Sequence, residues 1–205
     1  GLYLYKKGAN GNAEARIEVM VSNLLDNCNV DHLKYEAGES NGEYVCKCKC
    51  MTDDTISILP GMDFDTWCNV RGVDSRKEAL KIDPESIYKM WIVDYLISNR
   101  DRHGLNWGFF YNCDTHEILG CHPLYDHNNS FDIPLMQNKD AEYLYDNTMT
   151  MKQAALKAME HVDFHFYREF TREDFITERQ YLSFMDRARD LGIKVISKEE
   201  STDLD

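Results

Sequence analysis

Asp101-Arg102-His103-Gly104-Leu105-Asn106, followed by a second aspartate at the end of Pro123-Leu124-Tyr125-Asp126, constrains this chain more than any other passage. The stretch between them, Trp107–Tyr111 and Ile118–Cys121, reads as two short strands around the turn-rich Asn112-Cys113-Asp114-Thr115-His116. A hairpin there returns the chain to its start and brings Asp126 beside Asn106. Upstream, Asp83-Pro84-Glu85-Ser86 reads as an N-cap with proline at the first helical position. Ile87, Trp91, Tyr95 and Ile97 then give apolar spacing of helical type up to Ser98. Asn99–Asn106 follows as a polar loop, so the order is helix, loop, hairpin, aspartate.

An aspartate, an asparagine five positions on and a second aspartate after a hairpin suit phosphoryl transfer. A hydroxyl attacking the γ-phosphate of ATP must be oriented and must lose its proton, and the charge on the phosphate oxygens must be neutralised. Mg²⁺ takes oxygen ligands in octahedral geometry, so one carboxylate, one amide oxygen, phosphate oxygens and water make a suitable set. Asp101 would face the hydroxyl, and Asn106 and Asp126 would supply the two protein oxygens. Asp and Asn also form loops through bonds to their own backbone, and it is the combination in this order that argues for chemistry. His103 either orients the loop or fills a polar niche. Arg102 contacts phosphate or, by the better reading, pairs with a local carboxylate.

Asn99-Arg100-Asp101-Arg102-His103-Gly104-Leu105-Asn106 with Pro123-Leu124-Tyr125-Asp126 resembles the HipA-like serine/threonine kinases of bacterial toxin–antitoxin systems. The likeness is specific over about residues 87–131. It implies an α+β, protein-kinase-like, two-lobed fold: a small N-terminal antiparallel sheet with one helix, then a mainly helical lobe carrying the catalytic hairpin. It implies an ATP- and Mg²⁺-dependent protein kinase with Asp101 as catalytic aspartate, His103 beside it, and Asn106 and Asp126 as metal ligands. Its partners would be a protein bearing a Ser or Thr hydroxyl and an antitoxin. Two alternatives stand beside it: a pseudokinase-like binding module without turnover, and a lipid kinase of the phosphatidylinositol type, since Asp-Arg-His-x-x-Asn occurs there too.

The N-terminus matches the lysine strand and following helix of kinases. Leu2–Tyr5 is strand-like, with Lys6 on the same face as Leu4 and directed at the phosphates. Asn12 is the expected cap of a helix through Ile17, Val21, Leu24 and Leu25. Glu18 is the better partner for Lys6, and Glu14, one turn earlier, the alternative. The glycine-rich loop that covers the phosphates in kinases would precede the lysine strand. Gly8–Gly11 lies on the other side of it and reads as a turn or as backbone N–H groups facing an anion. His127-Asn128 stand where typical eukaryotic kinases have Phe-Gly.

His32–Ala37 and Glu43–Cys50 alternate like strands about Ser40-Asn41-Gly42. Residues 1–58 therefore make a shortened first lobe, 59–205 the second, with a hinge around Cys50–Pro60 against which the adenine would sit. Met149–Val162 and Thr171–Gly192 read as helices, the second opening on a Thr-x-x-Asp capping box, and Ser197–Asp205 as a solvated acidic tail. Cys46, Cys48 and Cys50 alternate with lysines and so share one strand face. Zinc sites favour spacings that wrap the ion, which leaves buried apolar side chains as the better reading.

Composition narrows the partners. A net charge of −13 and a pI near 4.9 argue against a nucleic-acid groove and for a basic partner surface. No apolar run approaches the roughly 20 residues that cross a bilayer. Seven cysteines, an odd count, leave at least one thiol unpaired and make a reducing cytoplasm the expected setting.

Overall fold

The computed structural model describes residues 1–194, the side chains of 9–12 excepted. The acidic tail expected over Ser197–Asp205 lies outside the described residues. Two three-stranded antiparallel sheets carry the architecture. The first contains β1 (Tyr3–Lys6), β2 (Tyr35–Ser40) and β3 (Glu43–Lys49), with β3 in the middle. β2 and β3 are joined through Asn41 and Gly42, whose φ values of 53° and 78° are the left-handed pair a two-residue hairpin needs. β2 begins at Tyr35, three residues later than His32, because His32 forms only an isolated bridge to Leu124.

Between β1 and β2 runs α1 (Ala9–Leu25). It starts three residues before the expected cap Asn12, with Gly8 in extended backbone as its N-cap, so Gly8–Gly11 forms the helix entrance rather than a free loop. Two apolar faces on this helix have different neighbours. Ala15 and Val19 meet Tyr35, Cys46 and Cys48 against the first sheet, whereas Met20, Val21, Leu24 and Leu25 enter the main core. α1 thereby ties sheet to body. Cys46 and Cys48 are buried on one face of β3, and burial pushes the Cys46 thiol up to about 11. They act as small apolar side chains.

The second sheet orders β4 (Ile56–Pro60), β5 (Gly108–Asn112) and β6 (Ile118–Cys121) in sequence. The connector expected over Thr52–Pro60 is therefore half strand: Ile56 pairs with Asn112 and Pro60 with Gly108. Proline fits because β4 is an edge strand of its sheet. A boundary between 58 and 59 falls inside β4, and the pairing of β4 with β5 assigns the whole strand to the second sheet.

Helices fill the remainder: α2 (Gly61–Val70), α3 (Ser75–Ile82), α4 (Pro84–Leu96), α5 (Ile133–Gln137), α6 (Met151–Met159) and α7 (Glu178–Asp190). α4 is the central one. Asp83 accepts from the Ser86 N–H at 3.1 Å and Pro84 opens the first turn, as the sequence predicts. Every side chain from Met90 to Leu96 is buried, and α4 packs on both α6 and α7. The helix expected over Thr171–Gly192 is broken in two. The Thr171/Asp174 box caps only a 3₁₀ turn, Arg172–Asp174, while Thr177 with Gln180 caps α7. Phe175, extended between the two caps, buries its ring against Phe170 and Phe184. Among the described residues no helix is long and apolar enough to cross a membrane.

Candidate active site

The Asn99–Asn106 loop is held from beneath by a charge pair that no solvent reaches. Asp94, in α4, and Arg102, in the loop, are both fully buried. The Arg102 guanidinium donates to the Asp94 carboxylate at 2.7 and 3.0 Å. The Tyr143 hydroxyl donates to the same carboxylate at 2.6 Å. Burial alone would lower the Arg102 pKa, but the Asp94 carboxylate outweighs it and the group is raised, so Arg102 stays charged. Its remaining donors reach the backbone carbonyls of Asn106 at 2.5 Å and Tyr125 at 3.0 Å. One side chain thus fixes the residue before Asp126 and the residue Asn106 itself. Arg102 pairs with a carboxylate, the better of its two sequence readings. Asp94 was not anticipated, although a lone aspartate in the apolar run Ile92–Ile97 is the signal.

Asn99 continues the scaffold. Its amide donates to Asp94 at 3.1 Å, and its side-chain oxygen accepts from the Asp101 N–H at 3.1 Å. Gly104 closes the loop against α2: its carbonyl accepts from the Met62 N–H at 2.8 Å, and a Cβ at Gly104 would meet that same nitrogen at 2.8 Å. Only glycine sits there without displacement.

Lys6, Glu18 and Asp126 converge from β1, α1 and the residue after the hairpin. The Lys6 ammonium lies 3.2 Å from the Glu18 carboxylate and contacts the Asp126 carboxylate as well. Glu18, the better of the two sequence candidates, is the residue that meets the lysine. The fully buried Glu18 also accepts from the His127 N–H at 2.8 Å, tying helix α1 to the backbone just past Asp126. Burial would lower the Lys6 pKa, and the two carboxylates raise it further than that, so the ammonium persists. Burial pushes the Glu18 carboxyl up, against the pull of Lys6. Asp126 adopts φ 57°, a left-handed conformation uncommon outside glycine.

Asp101 stands at the mouth of this arrangement. Its carbonyl accepts from the Asn106 amide at 2.8 Å, and one carboxylate oxygen accepts from the Asn129 amide at 2.7 Å. His103 Nε2 lies 3.8 Å from the other carboxylate oxygen, and its Nδ1 accepts from the Leu105 N–H at 3.2 Å. Asn129 was not anticipated; nothing in its sequence spacing separates it from Asn128. The six anticipated residues therefore fall into two sets, Lys6 with Glu18 and Asp126, and Asp101 with Asn106 and His103. Arg102 joins the sets through the two carbonyls it holds.

The donors fit a shared Mg²⁺ in one respect that the structure displays. The Asn106 amide nitrogen is occupied by the Asp101 carbonyl, which leaves the amide oxygen as the atom that would face a metal. Among the described residues no group of three or more His, Cys, Asp or Glu side chains could hold a metal unaided. A metal at Asn106 and Asp126 needs phosphate oxygens and water to complete its shell.

No protein-family model matches the chain, and no curated protein matches it either. Among solved structures it is similar to the crystal structure of a Helicobacter pylori proinflammatory kinase, CtkA. The TM-score is 0.60 and the identity 14%, over 92% of this chain and 86% of that one. At that identity the likeness speaks for backbone arrangement alone. The two small antiparallel sheets and the helices around them make a kinase-like fold.

Proposed function

We propose that this chain is a phosphotransferase that moves the γ-phosphoryl group of ATP, with Mg²⁺, to a Ser or Thr hydroxyl of a protein. The observation that carries the reading is the meeting of Lys6, Glu18 and Asp126 beside a loop that presents Asp101 and Asn106. Lys6, kept charged and positioned by Glu18, contacts phosphate oxygens. Asn106 and Asp126 hold the metal. Bound Mg²⁺-ATP supplies the electrophilic phosphorus and part of the charge neutralisation. Asp101 orients the incoming hydroxyl and accepts its proton, which requires the carboxylate to be fixed before the acceptor arrives. The HipA-like relation and an antitoxin partner belong to the same reading, on the strength of residues 87–131, and a cytoplasmic setting is proposed from the seven cysteines.

A second reading, a nucleotide-binding module without turnover, has one observation in its favour: Lys6 contacts Asp126 and so sits on the carboxylate a metal would need. On the first reading Lys6 would turn from Asp126 to a phosphate oxygen, leaving the Asp126 carboxylate to hold the metal. Calorimetric titration of ATP decides between outcomes. Wild type should bind ATP more tightly with Mg²⁺ than without, and Asp126→Ala should bind equally under both conditions. Equal affinity of wild type and D126A at saturating Mg²⁺ would remove Asp126 from the site.

A further inference from the structure

From the geometry around Asp101 we infer that Asn129 is the residue that positions the catalytic carboxylate, and that it couples the base to the segment bearing the metal ligand. The inference rests on the phosphotransferase reading. The Asn129 amide donates to one carboxylate oxygen of Asp101 at 2.7 Å, the shorter of the two side-chain approaches to that carboxylate. With that oxygen held, the carboxylate cannot rotate freely about its last torsion, and its second oxygen is the one left for a substrate hydroxyl. Asn129 also lines both cavities beside the loop, of about 550 and 440 Å³. Asp101 opens on the first, and Glu14 and Asp132 flank the second.

The backbone explains why an otherwise exposed asparagine is held in one place. The segment from Asp126 to Phe131 is pinned at both ends: the His127 N–H donates to Glu18 at 2.8 Å and the Phe131 N–H donates to the Ile97 carbonyl at 2.8 Å. A turn closes between, the Ser130 N–H donating to the His127 carbonyl at 3.0 Å. Asp126 and Phe131, with φ of 57° and 59°, are the two left-handed residues that bend the chain into and out of this turn. Non-glycine residues hold such angles only where surroundings impose them. Asn129 is three residues from Asp126 on this pinned stretch. Asn129 and Asp126 therefore share one pinned stretch, so the donor that orients Asp101 and the candidate metal ligand are held by the same anchors.

The test compares wild type, Asn129→Ala, Asn129→Ser and Asn129→Asp. Turnover is read as ADP release from Mg²⁺-ATP and as labelling of the chain itself, and thermal melts check that each variant folds. N129A should lose about 10- to 100-fold in kcat, the scale of a misplaced catalytic group, with the KM for ATP within about twofold of wild type. N129S, which retains a donor, should recover part of the loss. N129D should be no better than N129A, and its acid limb should move to higher pH, because two carboxylates in contact share a proton. A purely structural role predicts neither the order of the variants nor the moved limb. Turnover by N129A equal to that of an active wild type, with D101N inactive, overturns the positioning role and leaves the phosphotransferase reading standing. A wild type without ADP release or labelling overturns both.

Discussion

Asp94 and Arg102 illustrate how a charge deep in a protein becomes a structural commitment. A pair of this kind is often no more stable than a well-packed apolar pair of the same volume, yet removing one partner strands the other in a medium that cannot solvate it. Arg102→Ala should therefore destabilise the fold by about 3–5 kcal/mol, read as a shift in denaturant midpoint. Arg102→Lys should recover little, since an ammonium cannot span Asp94 and the carbonyls of Asn106 and Tyr125 at once. An R102K variant with wild-type stability would contradict the hub. Asp101, Asn106 and Asp126 stood out in the sequence as candidates because the proposed chemistry needs those types at that spacing. Lys6 and Glu18 were legible only as one strand and one helix face, and Asp94 and Asn129 not at all. Asn129 acts on a residue 28 positions away, and Asp94 through a loop fold and through Tyr143, 49 positions on, so sequence pattern encodes both only as an unexplained polar residue.

Elements were readable where a cap and a period coincided. α4 has both, with Asp83 and Pro84 at its start, and so does the β2–β3 hairpin, whose Asn41-Gly42 turn suits left-handed backbone. α3 also carries its signal, Asp74 accepting from the Arg76 and Lys77 N–H groups, but its eight residues bury only Ala79 fully, with Leu80 and Ile82 half-buried against the core, and the period is too short to see. The 171–192 stretch misleads because two capping boxes stand six residues apart and the first looks sufficient. Thr177→Ala should cost about 1 kcal/mol, the usual worth of an N-cap. Thr171→Ala should cost less, since its box supports only a 3₁₀ turn. Equal losses in paired thermal melts would mean that the two segments act as one helix. Gly104→Ala has a larger consequence, because the added Cβ meets the α2 backbone. The loop must retreat, and kcat should fall with little change in far-ultraviolet circular dichroism.

At the level of the whole molecule, the kinase-like arrangement surrounds three histidines that it keeps neutral. His32, His122 and His127 are all buried, and burial lowers each pKa below the ordinary 6.5, His127 furthest, with Arg102 adding repulsion there. Below about pH 6.5 the unfolded chain takes up protons at these sites and the folded chain does not, so stability is full above that pH and declines as pH falls. Each such group contributes a slope of at most about 1.4 kcal/mol per pH unit. Glu18 opposes the trend: its raised carboxyl gains a proton in the fold first and so favours folding as pH drops. The histidines titrate from about pH 6.5 downward, the range in which the prediction is read. Denaturant unfolding should show lower stability at pH 5.5 than at pH 7.5, and a flat profile would mean that the histidines are solvated.

If Asp101 is a base poised beside a nucleotide site, transfer of radiolabelled γ-phosphate by wild type and Asp101→Asn, paired with calorimetry of Mg²⁺-ATP binding, separates its role from that of the nucleotide ligands. Asp101 contacts the acceptor hydroxyl and not the nucleotide, so D101N should bind Mg²⁺-ATP as wild type does while transfer falls by about two or more orders of magnitude. Undiminished labelling by D101N, or a parallel loss of nucleotide binding, would contradict the account.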